Sequence, residues 1–141
     1  MANGSYTVLT VDDSRLIRRN VRSMLTEIKV KNILEAANGE EAITVLKANK
    51  VDLIISDWNM PNMNGQELLE FVRKNPATTS VPFIMLTAEG DKEKVLAALQ
   101  AGVTNYIVKP FTAETLYKKL RKYLPRDLQA GAGFGGVDWQ K

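Results

Sequence analysis

Five short apolar runs, separated by segments of helical periodicity, leave this chain few ways to fold. The runs are Tyr6-Thr7-Val8-Leu9-Thr10-Val11, Ile33-Leu34-Glu35-Ala36-Ala37, Leu53-Ile54-Ile55-Ser56-Asp57, Val81 to Thr87, and Asn105-Tyr106-Ile107-Val108. After each, apolar residues return every three or four positions. They are Ile17, Val21, Met24, Leu25 and Ile28 first, then Ala42, Ile43, Val45 and Leu46, then Leu68, Leu69 and Val72 beside Phe71. Val95 to Ala101 follows the fourth run, and Leu116, Leu120 and Leu124 follow the fifth. A continuous apolar run reads as a strand buried on both faces, and a three-to-four repeat as one side of a helix. Strict alternation of the two predicts a parallel sheet covered by helices on both faces. With right-handed crossovers this is a doubly wound sandwich of five strands and five helices. The order 2-1-3-4-5 then sets strands 1 and 3 side by side at the switch point.

The punctuation agrees with that division. Ser14 can cap the first helix, Asn38-Gly39 turns the second strand into the second helix, and Asn75-Pro76 closes the third. Gly102 stops the fourth, Lys109-Pro110 breaks the fifth strand, and the last helix opens near Thr112. The 141 residues suffice for one domain, placed at 5–124, with 125–141 expected as a Gly-rich flexible tail. In that tail Gly131, Gly133 and Gly136 satisfy G-x-G-x-x-G, but they follow a helix, whereas a dinucleotide fingerprint follows a strand. Phe134 and Trp139 supply the alternative reading of the tail, a docking peptide. The N-terminus lacks a signal-peptide pattern and no apolar run approaches 18 residues, so a cytoplasmic protein without membrane insertion is expected.

Two absences bound the chemistry. The chain has no Cys and no His, which excludes thiolate nucleophiles, Cys-based zinc sites and Ser-His or Cys-His pairs. Carboxylates, lysine, hydroxyls and a hard metal remain. The polar residues collect at the strand ends: Asp12 and Asp13 after the first, Asp57 at the third, Thr87 at the fourth, and Lys109 at the fifth. In an open α/β sheet these carboxyl ends line the ligand crevice. Two unit charges ~4 Å apart repel by ~4 kcal/mol at an effective dielectric of 20. Three carboxylates there would strain a domain whose whole stability is ~5–15 kcal/mol. One must be protonated, or a cation must sit among them, and Mg²⁺ suits so few carboxylates and an incoming phosphate oxygen. Each residue alone has a plainer reading, such as helix capping for Asp12 and Asp13 or a solvated loop for Lys109. Their convergence on one edge of one sheet argues against coincidence.

Asp12-Asp13, Asp57, Thr87-Ala88 and Lys109-Pro110, carried on five βα units, resemble the receiver domain of two-component response regulators. The resemblance covers about residues 5–124 and is strongest to the single-domain chemotaxis members of that flavodoxin-like family. Asp57-Trp58-Asn59-Met60-Pro61 and Tyr106 with Val108-Lys109-Pro110-Phe111 carry that closer likeness. The resemblance implies that Asp57 accepts a phosphoryl group from a sensor histidine kinase. It implies further that Asp13, Asp57 and the Asn59 carbonyl hold Mg²⁺ directly, with Asp12 acting through a water. Lys109 would contact phosphoryl oxygens, Thr87 would hydrogen-bond the new group, and small Ala88 would leave it space. Asn59 and Glu89 would influence its hydrolysis, and a cis Lys109-Pro110 peptide is implied. As Thr87 moves, Tyr106 would turn and repack a partner surface bearing Lys92, Lys119 and Lys122.

A monomeric binding module is therefore expected, switched by phosphorylation, with the flagellar motor switch as its expected partner and room for a phosphatase. It would catalyse only its own phosphorylation and dephosphorylation. Rival readings are a phosphorelay intermediate, a phosphate sink, a pilus-motility regulator, or a Mg²⁺-dependent phosphohydrolase. Against the last, Asp12 and Asp13 are adjacent where aspartyl-phosphate phosphatases have D-x-D. Arg15, Arg18, Arg19 and Arg22 form a basic stripe on the first helix, read here as its solvated side. A net charge of +3 without any recognition motif gives no case for nucleic acid.

Overall fold

The computed structural model describes residues 6–88 and 91–129. Its elements alternate as the apolar pattern requires: β1 (Thr7–Val11), α1 (Arg15–Glu27), β2 (Asn32–Ala36), α2 (Gly39–Ala48) and β3 (Leu53–Asp57). Then follow α3 (Gly65–Lys74), β4 (Phe83–Ala88), α4 (Lys92–Gln100), β5 (Asn105–Lys109) and α5 (Ala113–Leu120). The strands are all parallel, in the order β2-β1-β3-β4-β5. Leu53, Ile54 and Ile55 of the central strand are fully buried, because helices cover both faces of the sheet.

The two faces hold separate cores. On one, Val21 and Leu25 of α1 and Leu116, Tyr117 and Leu120 of α5 pack on Val8, Ile55, Ile84 and Ile107. On the other, α2, α3 and α4 contribute Ala42, Leu46, Leu68, Leu69, Val72 and Ala98 against Leu9, Ile54, Phe83 and Met85. Strand side chains alternate between these cores, and that alternation later sorts the site residues.

The helix starts are capped as the sequence suggests. The Ser14 hydroxyl accepts from Ile17 N, and the Asn38 side chain accepts from Glu41 N. Asn64 and Glu67 form a reciprocal capping box at α3. Arg73, near the end of α3, donates to the carbonyl oxygens of Gly102, Thr79 and Val81 and to the Thr104 hydroxyl. It thereby ties the two loops at the end of the sheet remote from the acidic residues.

Several boundaries differ from the sequence reading, most by one residue, and three differences change the packing. The fourth strand begins at Phe83, because Pro82 has no N–H to give a ladder and Val81 N is spent on Thr78 O in the preceding turn. The last helix ends at Leu120, followed by a 3₁₀ turn over Arg121–Tyr123, although Leu124 is still buried. The folded body also runs past 124. Arg126–Leu128 forms another 3₁₀ turn, the Tyr117 hydroxyl donates to Leu128 O at 2.7 Å, and Arg121 Nε donates to Gln129 O at 2.7 Å. The glycine-rich stretch from 130, with Phe134 and Trp139, lies outside the described residues. No helix among the described residues is long and apolar enough to cross a membrane.

Candidate functional site

The acidic residues meet at the carboxyl edge of β1 and β3, where the strand order turns. Asp12, just past β1, is fixed by its backbone and its side chain. Its N–H donates to Ala36 O at 3.1 Å, its Oδ1 accepts from Ser14 N at 2.9 Å, and its carbonyl accepts from Arg18 Nη1 at 2.6 Å. Asp57 is the last residue of β3 and is buried, whereas Asp13 is exposed at the mouth. Carboxylate oxygens of Asp12, Asp13 and Asp57 all lie within 4.8 Å of one another.

Lys109 closes the cluster from β5. Its Nζ lies 2.7 Å from Asp57 Oδ1 and 3.6 Å from Asp12 Oδ2, and the peptide to Pro110 is cis. Burial alone would push the lysine's pKa down, but the Asp57 hydrogen bond and charge, with Asp12 behind them, outweigh it and raise it. Asp12 moves the same way for the opposite reason. Burial raises its pKa, the Asp57 and Asp13 charges add to this, and the Ser14 N–H and Lys109 offset only part. Asp12 Oδ2 is buried without a hydrogen-bond partner. A buried, unsatisfied carboxylate oxygen among two other carboxylates suits a hard divalent cation.

Strand alternation separates the remaining residues. Asp57 and Lys109 share the parity of Ile55 and Ile107, whereas Thr87 shares that of Met85 and lies on the other side of the sheet with Tyr106. Thr87 is 3% exposed, and its hydroxyl donates to Ala88 O at 3.4 Å rather than to Asp57. Ala88, the last residue of β4, is exposed beside it. Thr87 and Tyr106 therefore share a face two rungs apart, with Met85 opposite Tyr106 and Thr87 opposite Val108.

Asn59 stands exposed at the lip of a polar recess of about 390 Å³ lined also by Asp13, Trp58 and Asn64. Glu89 lies outside the described residues. Tyr106 is half-buried, with Lys119 Nζ 5.5 Å from its ring, and it joins Lys92, Leu96, Leu99 and Val108 in lining a groove of about 430 Å³. Lys122 instead lies over the ring of Tyr123, beyond the end of α5.

The basic stripe on α1 divides. Arg18 and Arg22 both pair with Glu35, at 3.0 and 2.6 Å, and hold its carboxyl below the usual range, chiefly through the Arg22 hydrogen bond. Arg15 and Arg19 are exposed, as a solvated side requires. Two site neighbours escaped the sequence reading. Lys94 Nζ donates to Asn59 Oδ1 at 3.0 Å, a contact across 35 positions that no local spacing announces. Gly65 sits where an added Cβ would collide with the Asp57 carbonyl, and only the Asn64-Gly65 turn pair hinted at a close approach.

Residues 8–121 match the sequence model of the response regulator receiver domain. A chemotaxis protein CheY homolog of Campylobacter jejuni is 46% identical over 132 residues, covering 93% of this chain and 98% of that protein. Among solved structures, the chemotaxis response regulator CheY4 of Vibrio cholerae is 39% identical with a TM-score of 0.78, over 84% of this chain and 98% of that one. The receiver domain of the sensor histidine kinase PA1611 of Pseudomonas aeruginosa is 25% identical with a TM-score of 0.77, over 84% and 97%. Its structure carries a magnesium ion in the active site cleft.

Proposed function

We propose how this chain, which belongs to the response regulator receiver family, uses its acidic cleft: Asp57 takes the phosphoryl group, and the face around α4 and β5 reads it out. The observation that carries this is the company Asp57 keeps, two further carboxylates within 4.8 Å and an ammonium at 2.7 Å. The donor is a phosphohistidine on a sensor histidine kinase. A carboxylate oxygen of Asp57 attacks phosphorus, the phosphorus–nitrogen bond breaks with its electrons passing to the imidazole, and an acyl phosphate forms. Lys109 moves from the carboxylate to the phosphoryl oxygens and balances charge in the loose transition state. Water later attacks the same phosphorus, the bond to the Asp57 oxygen breaks, and inorganic phosphate leaves the restored carboxylate, at a rate that Asn59 and Glu89 influence. The protein's chemistry is confined to gaining and losing this one group.

The donor set fits Mg²⁺, as in the cleft of the Pseudomonas receiver. Asp13, Asp57 and the Asn59 carbonyl would hold it directly and Asp12 through a water. When bound, the ion supplies neutralising charge for carboxylate and phosphoryl oxygens.

Readout runs through Thr87 and Tyr106, which share a sheet face. Thr87 turns to the phosphoryl group beside small Ala88, and Tyr106 takes the space released. That repacks the groove lined by Lys92 and Tyr106, with Lys119 against the Tyr106 ring, and Lys122 is assigned to the same partner surface. Two of the three named similar proteins are chemotaxis proteins, which favours the flagellar motor switch as the partner. Titrating the protein, with and without beryllofluoride, against a motor-switch peptide and against a phosphotransfer domain tests this. Tighter peptide binding only with beryllofluoride supports the motor reading. A response to the phosphotransfer domain alone replaces it with a phosphorelay role.

A further inference from the structure

Lys94 is placed against the preference of its own helix. It lies in the first turn of α4, where the helix dipole disfavours a cation. Asp91, at the N-cap position, makes no side-chain cap hydrogen bond, and its Oδ2 lies 3.5 Å from Lys94 Nζ. The helix thus forgoes a side-chain cap, and its first turn sets Lys94 next to Glu93, whose charge the dipole does favour. What it gains is a reach across the cleft: Lys94 Nζ donates to Asn59 Oδ1 at 3.0 Å and lies 5.7 Å from the centroid of the Trp58 ring. Ordering a long lysine chain costs rotamer entropy, and here a carboxylate, an amide and a ring offset that cost together.

The held group is two residues from Asp57, at the lip of the recess shared with Asp13 and Trp58. An amide whose oxygen is tied to α4 cannot sweep across the mouth of the cleft. Released, the Asn59 amide could donate to a phosphoryl oxygen on Asp57 and stand in the path of attacking water. Loop and helix lie 35 positions apart in sequence, so the tie fixes the side chain from outside its own loop.

We propose that Lys94 is a positioning residue, which holds Asn59 at the lip of the cleft and thereby keeps the phosphoryl group on Asp57 short-lived. This rests on the phosphoacceptor reading of Asp57. The test charges full-length protein with radiolabelled acetyl phosphate and Mg²⁺, removes the donor, and follows loss of label. Lys94→Met and Lys94→Arg are compared in the Asn59 and Asn59→Ala backgrounds. Lys94→Met is expected to slow the decay by about threefold or more, within the range of couplings between residues in contact. Lys94→Arg, which keeps a cationic donor, is expected to stay near the wild-type rate. In the Asn59→Ala background the Met substitution is expected to change nothing further, which a merely structural effect would not reproduce. Unchanged or faster decay in Lys94→Met, or equal slowing without Asn59, overturns the role of Lys94 while leaving Asp57 as phosphoacceptor. A wild-type protein that takes up no label overturns both.

Discussion

The Lys109 ammonium lies 2.7 Å from Asp57 Oδ1 and 3.6 Å from Asp12 Oδ2, so one cation from β5 answers two carboxylates carried by β1 and β3. Its removal should therefore act on stability and chemistry at once. Lys109→Ala leaves two buried acids facing each other, a loss of about 1–3 kcal/mol once the lysine's part exposure is allowed for. The lysine's raised folded pKa sets the window. Its contribution is fully present below the ordinary lysine value of 10.5 and is lost as pH rises through the folded value. Phosphorylation by a small donor should slow by about a hundredfold in Lys109→Ala, because a charge aimed at the transition state is gone. Urea unfolding and initial labelling rates measure the two effects. Labelling at the wild-type rate would remove Lys109 from the chemistry.

Asp12 gives the opposite sign. Its carboxyl is raised by burial and by its acidic neighbours, so the folded chain holds its proton longer than the unfolded chain does. Stability from this group is present at low pH and falls as pH rises from the unfolded value of 3.8 through the folded one. Asp12→Asn should therefore raise the midpoint of metal-free thermal unfolding by roughly 3–5 °C at neutral pH. The two proteins should converge below the unfolded value. Added Mg²⁺ should stabilise the wild type more than the variant, since the ion relieves the strain that Asn has already removed.

Five parallel strands and the acidic edge were legible because periodicity and strand-end residues are local signals. Asp12, Asp13, Asp57 and Lys109 each end an apolar run, and the sheet does the rest. The strand start at Phe83 was less legible, since Val81 looks like strand until Pro82 is weighed for its missing N–H. The docking of Leu128 and Gln129 was hidden for another reason. It depends on the Tyr117 hydroxyl and the Arg121 guanidinium finding carbonyls beyond the helix, which no spacing rule encodes. Lys94 was missed likewise, because in sequence it is one more lysine on a charged helix.

Gly65 is the tightest point behind the site. A Cβ there would collide with the Asp57 carbonyl and come within 2.8 Å of Met85 Sδ and 3.0 Å of Trp58 Cα. Two of these are backbone and cannot swing away, so Gly65→Ala should cost about 2–3 kcal/mol in urea unfolding. The shift falls on Asp57 and Trp58, beside the acidic cluster, so Mg²⁺ affinity should drop as well. A variant as stable as the wild type would mean that the β3–α3 turn yields more easily than its packing suggests.

Trp58 follows Asp57 directly and lines the recess with Asp13 and Asn59, so its fluorescence reports on the site from within. The most direct measurement is that emission during successive additions of Mg²⁺ and beryllofluoride, in the wild type and in Asp57→Asn. A change with Mg²⁺ and a second, distinct change with beryllofluoride are expected in the wild type, and the second should vanish in Asp57→Asn. No second change in the wild type, or one that survives the substitution, would contradict the assignment of Asp57 as the phosphoacceptor.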